Sequence, residues 1–164
     1  MESTAAPTQS PRREAPVRPL PGPLDRAQEI TLTAFQALGL SAPQAEQAAA
    51  EGGVVLNGTL VSVMPLPVSS LTGQGSDDLF MITVETRRRV ADLSATQTAA
   101  MLAHGPGLLA VHRATLGCHP DGQIVLHRTL DAAATTPQKL ANAMFTAQQL
   151  VQLLWGDTSD PQPQ

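Results

Sequence analysis

The chain has 164 residues, 14 acidic and 10 basic side chains and a formal net charge of −4, which fits one domain with tails and argues against a nucleic-acid binder, whose surface is basic. Three Phe, one Trp and no Tyr leave little for base-stacking platforms. A folded part of this size buries about two thirds of its unfolded surface, so neither a metal nor a disulfide staple is required.

Residues 1–23 hold Pro7, Pro11, Pro16, Pro19, Pro21 and Pro23 with almost no apolar periodicity. This composition predicts a disordered or extended arm, locally basic at Arg12, Arg13 and Arg18. The domain is expected over 24–156. Its first helix spans Leu24 to Leu38, with Ala27, Ile30, Ala34 and Leu38 on one face and Leu32 and Phe35 beside it. Gly39 ends it. Ser41 with Gln44 three residues later has the form of a capping box for a short Ala-rich helix, Ala45 to Glu51, closed by Gly52-Gly53.

Val54–Leu56 and Leu60–Val63 flank Asn57-Gly58, the dipeptide that best accepts two positive φ angles and so predicts a hairpin. Pro65 and Pro67 suit a sheet edge. Ser69 to Asp78 has loop composition, Leu79–Val84 that of a third strand, and Arg87-Arg88-Arg89 that of its solvated end, or of a lure for an acidic segment. A second helix is predicted from Ala95 to Ala103, capped by Asp92 or Ser94 and stopped at Gly105-Pro106. Leu108 to His112 then leads into a hairpin over Ala114–Leu130, with Pro120-Asp121-Gly122 at its turn. Leu116 and Cys118 share a face of one arm; Ile124, Leu126 and Leu130 share a face of the other. Cys118 is expected to act as a small core hydrophobe. The last helix opens at Thr136-Pro137 and carries Leu140, Ala143, Met144, Ala147, Leu150, Val151 and Leu154 as one apolar stripe. Its five larger side chains contribute roughly 1.5–3 kcal/mol each when buried. An acidic, Pro-rich tail, 157–164, follows.

Strands and helices run in blocks. The expected fold is therefore α+β: a five-stranded, mainly antiparallel sheet with three main helices in the order α-β-β-β-α-β-β-α.

No reactive constellation is expected. Closing the 119–122 turn sets His127 opposite residue 114 or 115, roughly 10–13 Å along the strand from Cys118 at ~3.3 Å per residue, too far to share a zinc ion. The chain lacks a G-x-S-x-G elbow, and Gly73-Gln74-Gly75 lacks the flanking strand and helix of a phosphate loop. Catalytic, metal and cofactor residues are thus predicted to be absent. The lone Cys118, the absence of a signal-peptide pattern after Met1-Glu2-Ser3-Thr4 and of any ~20-residue apolar run predict a cytoplasmic protein without membrane insertion.

The run Leu116-Gly117-Cys118-His119-Pro120-Asp121-Gly122-Gln123-Ile124-Val125-Leu126-His127-Arg128-Thr129-Leu130 resembles the small-Leu-Gly-x-x-x-Asp-Gly-x-x-x-Leu-x-x-x-Leu stretch of the Tir chaperone (CesT) family, the class I chaperones of type III secretion. The element order, small size, acidity and final amphipathic helix are similar too, over about residues 24–155. The added arm and the short helix at 43–51 resemble the broad-specificity HpaB type. The resemblance implies a cytoplasmic homodimer without enzymatic activity. It would hold the N-terminal segments of effector proteins secretion-competent and deliver them to the secretion ATPase and export gate, using aliphatic grooves and strand addition. The effector groove is expected at Phe35, Leu38, Val61, Val63, Phe80 and Ile82, and the dimer contact at Leu102, Leu108, Leu109 and Val111. The alternative on the same scaffold is a protein-binding regulator, such as an anti-activator, since fold does not decide function.

Overall fold

The computed structural model describes residues 23–66 and 78–155. The predicted arm up to residue 22, residues 67–77, which take in Pro67 and all of the predicted loop but Asp78, and residues 156–164 with the acidic tail lie outside them. Helices α1 (Pro23–Ala37) and α2 (Ala42–Glu51) precede strands β1 (Gly53–Leu56), β2 (Thr59–Leu66) and β3 (Leu79–Arg89). Helix α3 (Ala95–His112), strands β4 (Ala114–Cys118) and β5 (Gln123–Asp131) and helix α4 (Pro137–Trp155) complete the chain. Pro23, assigned to the arm by composition, is the first residue of α1, a position that needs no amide donor.

The strands form one antiparallel sheet in the order β1-β2-β3-β5-β4, the α+β architecture expected. Two turns set its register. Asn57 (φ 49°) and Gly58 (φ 77°) join β1 to β2 with positive φ at both central residues, which matches the natural strand twist. Between β4 and β5, Gly122 (φ 87°) donates its N–H to the His119 carbonyl at 2.8 Å, and His119 donates to the Gln123 carbonyl at 2.8 Å. The Asp121 carboxylate accepts from the Gln123 N–H at 3.0 Å.

Register then fixes the two faces, because side chains alternate along a strand. Val54, Val61, Val84, Leu126 and Leu116 form one row across the sheet, and Val63, Ile82, Arg128 and Ala114 the next. Helices α1 and α4 cover this face. The α4 residues Leu140, Ala143, Met144, Ala147, Leu150 and Val151 are buried with it in a single core, as the stripe predicts. Lys139 donates its N–H to the Thr136 hydroxyl at 3.3 Å, so Thr136 caps α4.

Four expectations change. Helix α3 does not stop at Gly105-Pro106; it runs through Pro106 to His112, and Arg113 in the left-handed conformation ends it. Its cap is Ser94, whose hydroxyl accepts from the Gln97 N–H at 3.2 Å while the Gln97 amide oxygen accepts from the Ser94 N–H at 2.8 Å. The arginine run lies within β3, with Arg87 and Arg88 inside the register shift between Glu85 and Arg89. Thr86, buried at the shift, donates to the Ile124 carbonyl at 2.7 Å. Cys118 shares the Leu116 side of β4 but is exposed, because it sits at the strand's end. Lastly, β2 is an internal strand. Its ladder with β1 closes at Gly53↔Ser62, Val63 donates to the Gly52 carbonyl at 2.8 Å, and Pro65 lies past that point.

Candidate functional site

The 18 residues of α3 include no Asp, Glu, Lys or Arg, and only Leu108 among them is buried. Leu102, Leu109 and Val111 are 69%, 57% and 73% exposed. A helix that is apolar around its circumference is normally enclosed on every side, and here most of it faces solvent. Two grooves flank it. The larger, about 610 Å³, lies between Met101, Leu102 and Leu109 of the helix and Leu116 and Ile124 of the β4–β5 hairpin. The other, about 380 Å³, runs between Met101 and Leu108 and the last turns of α4 at Leu150, Leu153 and Trp155. Ser94 and the left-handed Arg113 fix the two ends of this ridge.

Of the residues expected at the dimer contact, the structure leaves Leu102, Leu109 and Val111 open and places Leu108 in the core. The effector-groove residues are corrected more fully. Phe35, Val61, Phe80 and Ile82 have no exposed surface and Val63 only 4%. Leu38 is half-buried against the same core. Val61, Val63, Phe80 and Ile82 lie beneath α1 and α4, Phe35 is on α1 itself and Leu38 directly follows it, so none of the strand positions lines an open groove. The apolar residues that do reach solvent on the sheet are on the opposite face: Val55, Leu60 and Met64.

The polar groups are mostly engaged in the fold. Arg87 donates to the Gly58 carbonyl at 3.2 Å, and Arg89 pairs with Asp121 at 3.5 Å in a solvent-exposed bridge of small energetic weight. Arg88, half-buried, borders the groove beside α4. On the uncovered face of the sheet, His127 Nδ1 lies 3.0 Å from the Thr83 hydroxyl, with Thr115 as its cross-strand partner. Burial, with a smaller contribution from His119, holds the His127 pKa below its ordinary value. On the covered face, Arg128 donates to the Ala143 carbonyl of α4 at 3.3 Å, and burial lowers its pKa as well. Among the described residues, no three His, Cys, Asp or Glu side chains are grouped to hold a metal ion. Nor is any helix among them long and apolar enough to cross a membrane.

Leu153 and Trp155 were not singled out by the sequence reading, which gave Met101 and Ile124 only as apolar positions of a helix and a strand. The available signal was the uncharged composition of 95–112, which reading the helix as ending at Gly105 divided in two. A scan against protein-family models finds no match to the chain, and a search of curated proteins finds none either.

Proposed function

We propose that the chain is a protein-binding chaperone of the class I type III secretion kind. It works as a homodimer in the cytoplasm, holds the N-terminal segments of effector proteins in a secretion-competent state, and hands them to the secretion ATPase and export gate. The observation that carries this reading is α3, an uncharged apolar helix with solvent over most of its length and a groove along either side. Exposed apolar area of this kind marks an interaction surface. The resemblance of the Leu116–Leu130 hairpin and the order of the sheet and helices support the same reading.

In this proposal Leu102 and Leu109, on one face of α3, meet a second copy, and Val111 lies on the other side of the helix's last turn. The groove edged by Leu153 and Trp155 accepts aliphatic side chains of the effector. The outer edge of β4, which has no strand beyond it among the described residues, takes an extended segment through backbone hydrogen bonds that tolerate many sequences.

The test is an affinity pull-down of the full chain from its native cytosol, with mass-spectrometric identification of the bound proteins and mapping of the segments protected from protease. Protected segments near the N-termini of several exported proteins are the expected result. A single, non-exported partner would overturn the chaperone reading in favour of a regulator.

A further inference from the structure

We propose that α3 is two helical arms joined by a hinge at Gly105-Pro106-Gly107, and that the first arm, Ala95–His104, swings away from the body to widen the grooves it borders. The inference deepens the binding role proposed above by giving its grooves an adjustable wall. Its physical basis is this chain's own helix.

Glycine and proline are the weakest helix formers, and three in succession fall at the middle of an 18-residue helix. Pro106 has no N–H for the Leu102 carbonyl one turn earlier, and its ring crowds that turn. Nothing in the packing asks for the glycines. Neither has positive φ, unlike Gly39, Gly52, Gly58 and Gly122. A Cβ placed on Gly105 or Gly107 would meet nothing within 4 Å. At Gly117, by contrast, it would come within 2.9 Å of the His127 ring. Alanine therefore fits at both positions of the triplet, and what glycine adds there is backbone freedom. Close approach of another helix does not account for both, since Gly105 lines a groove and Gly107 lines neither.

The two arms are anchored unequally. The only buried residue of α3, Leu108, follows the triplet, and the second arm passes through Arg113 directly into β4. From Ala95 to His104 no residue is buried. Met101 on this first arm borders both grooves, and Ile124, at the floor of the larger one, has no exposed surface. Outward motion of the first arm widens both grooves and uncovers Ile124 to an incoming apolar side chain.

Hydrogen–deuterium exchange on the full chain tests this, because amide exchange reads local opening directly. The expected result is a step at the triplet, with residues 99–104 exchanging at least about tenfold faster than 108–112. In Gly105→Ala/Pro106→Ala/Gly107→Ala the first arm is expected to slow by about tenfold or more, with 108–112 and α4 unchanged. Pro106→Ala alone replaces the triple variant if that one aggregates, with the same direction of change. Equal rates on both sides of the triplet in the natural chain, or variants that leave 99–104 unchanged, overturn the hinge. Sedimentation of the same samples reads self-association separately, so a failure of the dimer reading is distinguishable from a failure of the hinge.

Discussion

Gln148 lies in α4 with no exposed surface, and neither its amide nitrogen nor its amide oxygen has a hydrogen-bond partner among the described residues. A buried amide left unsatisfied costs about 1–3 kcal/mol. Gln148→Met keeps the length of the side chain and removes the polar atoms, so it is expected to stabilise the fold by about 1 kcal/mol or more on the same reasoning. Urea denaturation measures this; a lower midpoint in the variant would contradict it. At Gly117 the absence of a side chain has a local cause that the sequence motif could not display: the His127 ring lies across it. Gly117→Ala must displace that ring and its hydrogen bond to Thr83, with an expected loss of about 0.5–1.5 kcal/mol.

The same imidazole gives a pH dependence with a definite sign. Because its pKa is lowered in the folded chain, the unfolded chain takes up the proton first as pH falls. The contribution of neutral His127 is complete above the ordinary value of 6.5 and is lost as pH drops below it. Thermal melts between pH 7.5 and 5.5 are expected to show falling stability, and His127→Gln is expected to flatten that slope. An identical slope in the variant would assign the effect to another group.

At the level of elements, legibility followed how local the determining signal was. Asn57-Gly58, Pro120-Asp121-Gly122 and the stripe of α4 are set within a few residues of one another, and the two hairpins and α4 stand where the sequence predicts. Helix α3 went astray because Gly105-Pro106 is a strong local stop signal, and the chain continues helical through it. The partner residues at Val61, Val63, Phe80 and Ile82 went astray differently. Period-two alternation identifies the apolar face of a strand, but whether helices cover that face is decided by packing across the whole chain. Here α1 and α4 cover it. The centre of α4 is therefore the sensitive place. Leu150→Asp puts a carboxylate into the core and is expected to unfold the domain; circular dichroism showing a native-like melt would refute the assignment of that face.

For the molecule as a whole, the proposed self-association centres on α3. Leu109 is 57% exposed and contributes little to the single chain's core, so under the proposed dimer Leu109→Asp is expected to give a folded monomer. Sedimentation velocity on the variant reads both properties together, and an intact dimer would remove Leu109 from the contact.

The proline past the end of β1 governs what the assembled sheet can grow into. Amides on the β1 side of β2 recur at every second residue. With Val63 already donating to Gly52, the next one would belong to Pro65, which has none. A strand approaching that margin to continue the sheet meets a gap where it needs a donor, and fibre-like stacking of one sheet edge on another is blocked there. The opposite margin, Ala114–Cys118, has no proline and keeps its outward backbone groups. Pairing of a further strand along β2 past the end of β1 is thus hindered at Pro65, whereas β4 and the four-residue β1, the two outermost strands, carry no proline.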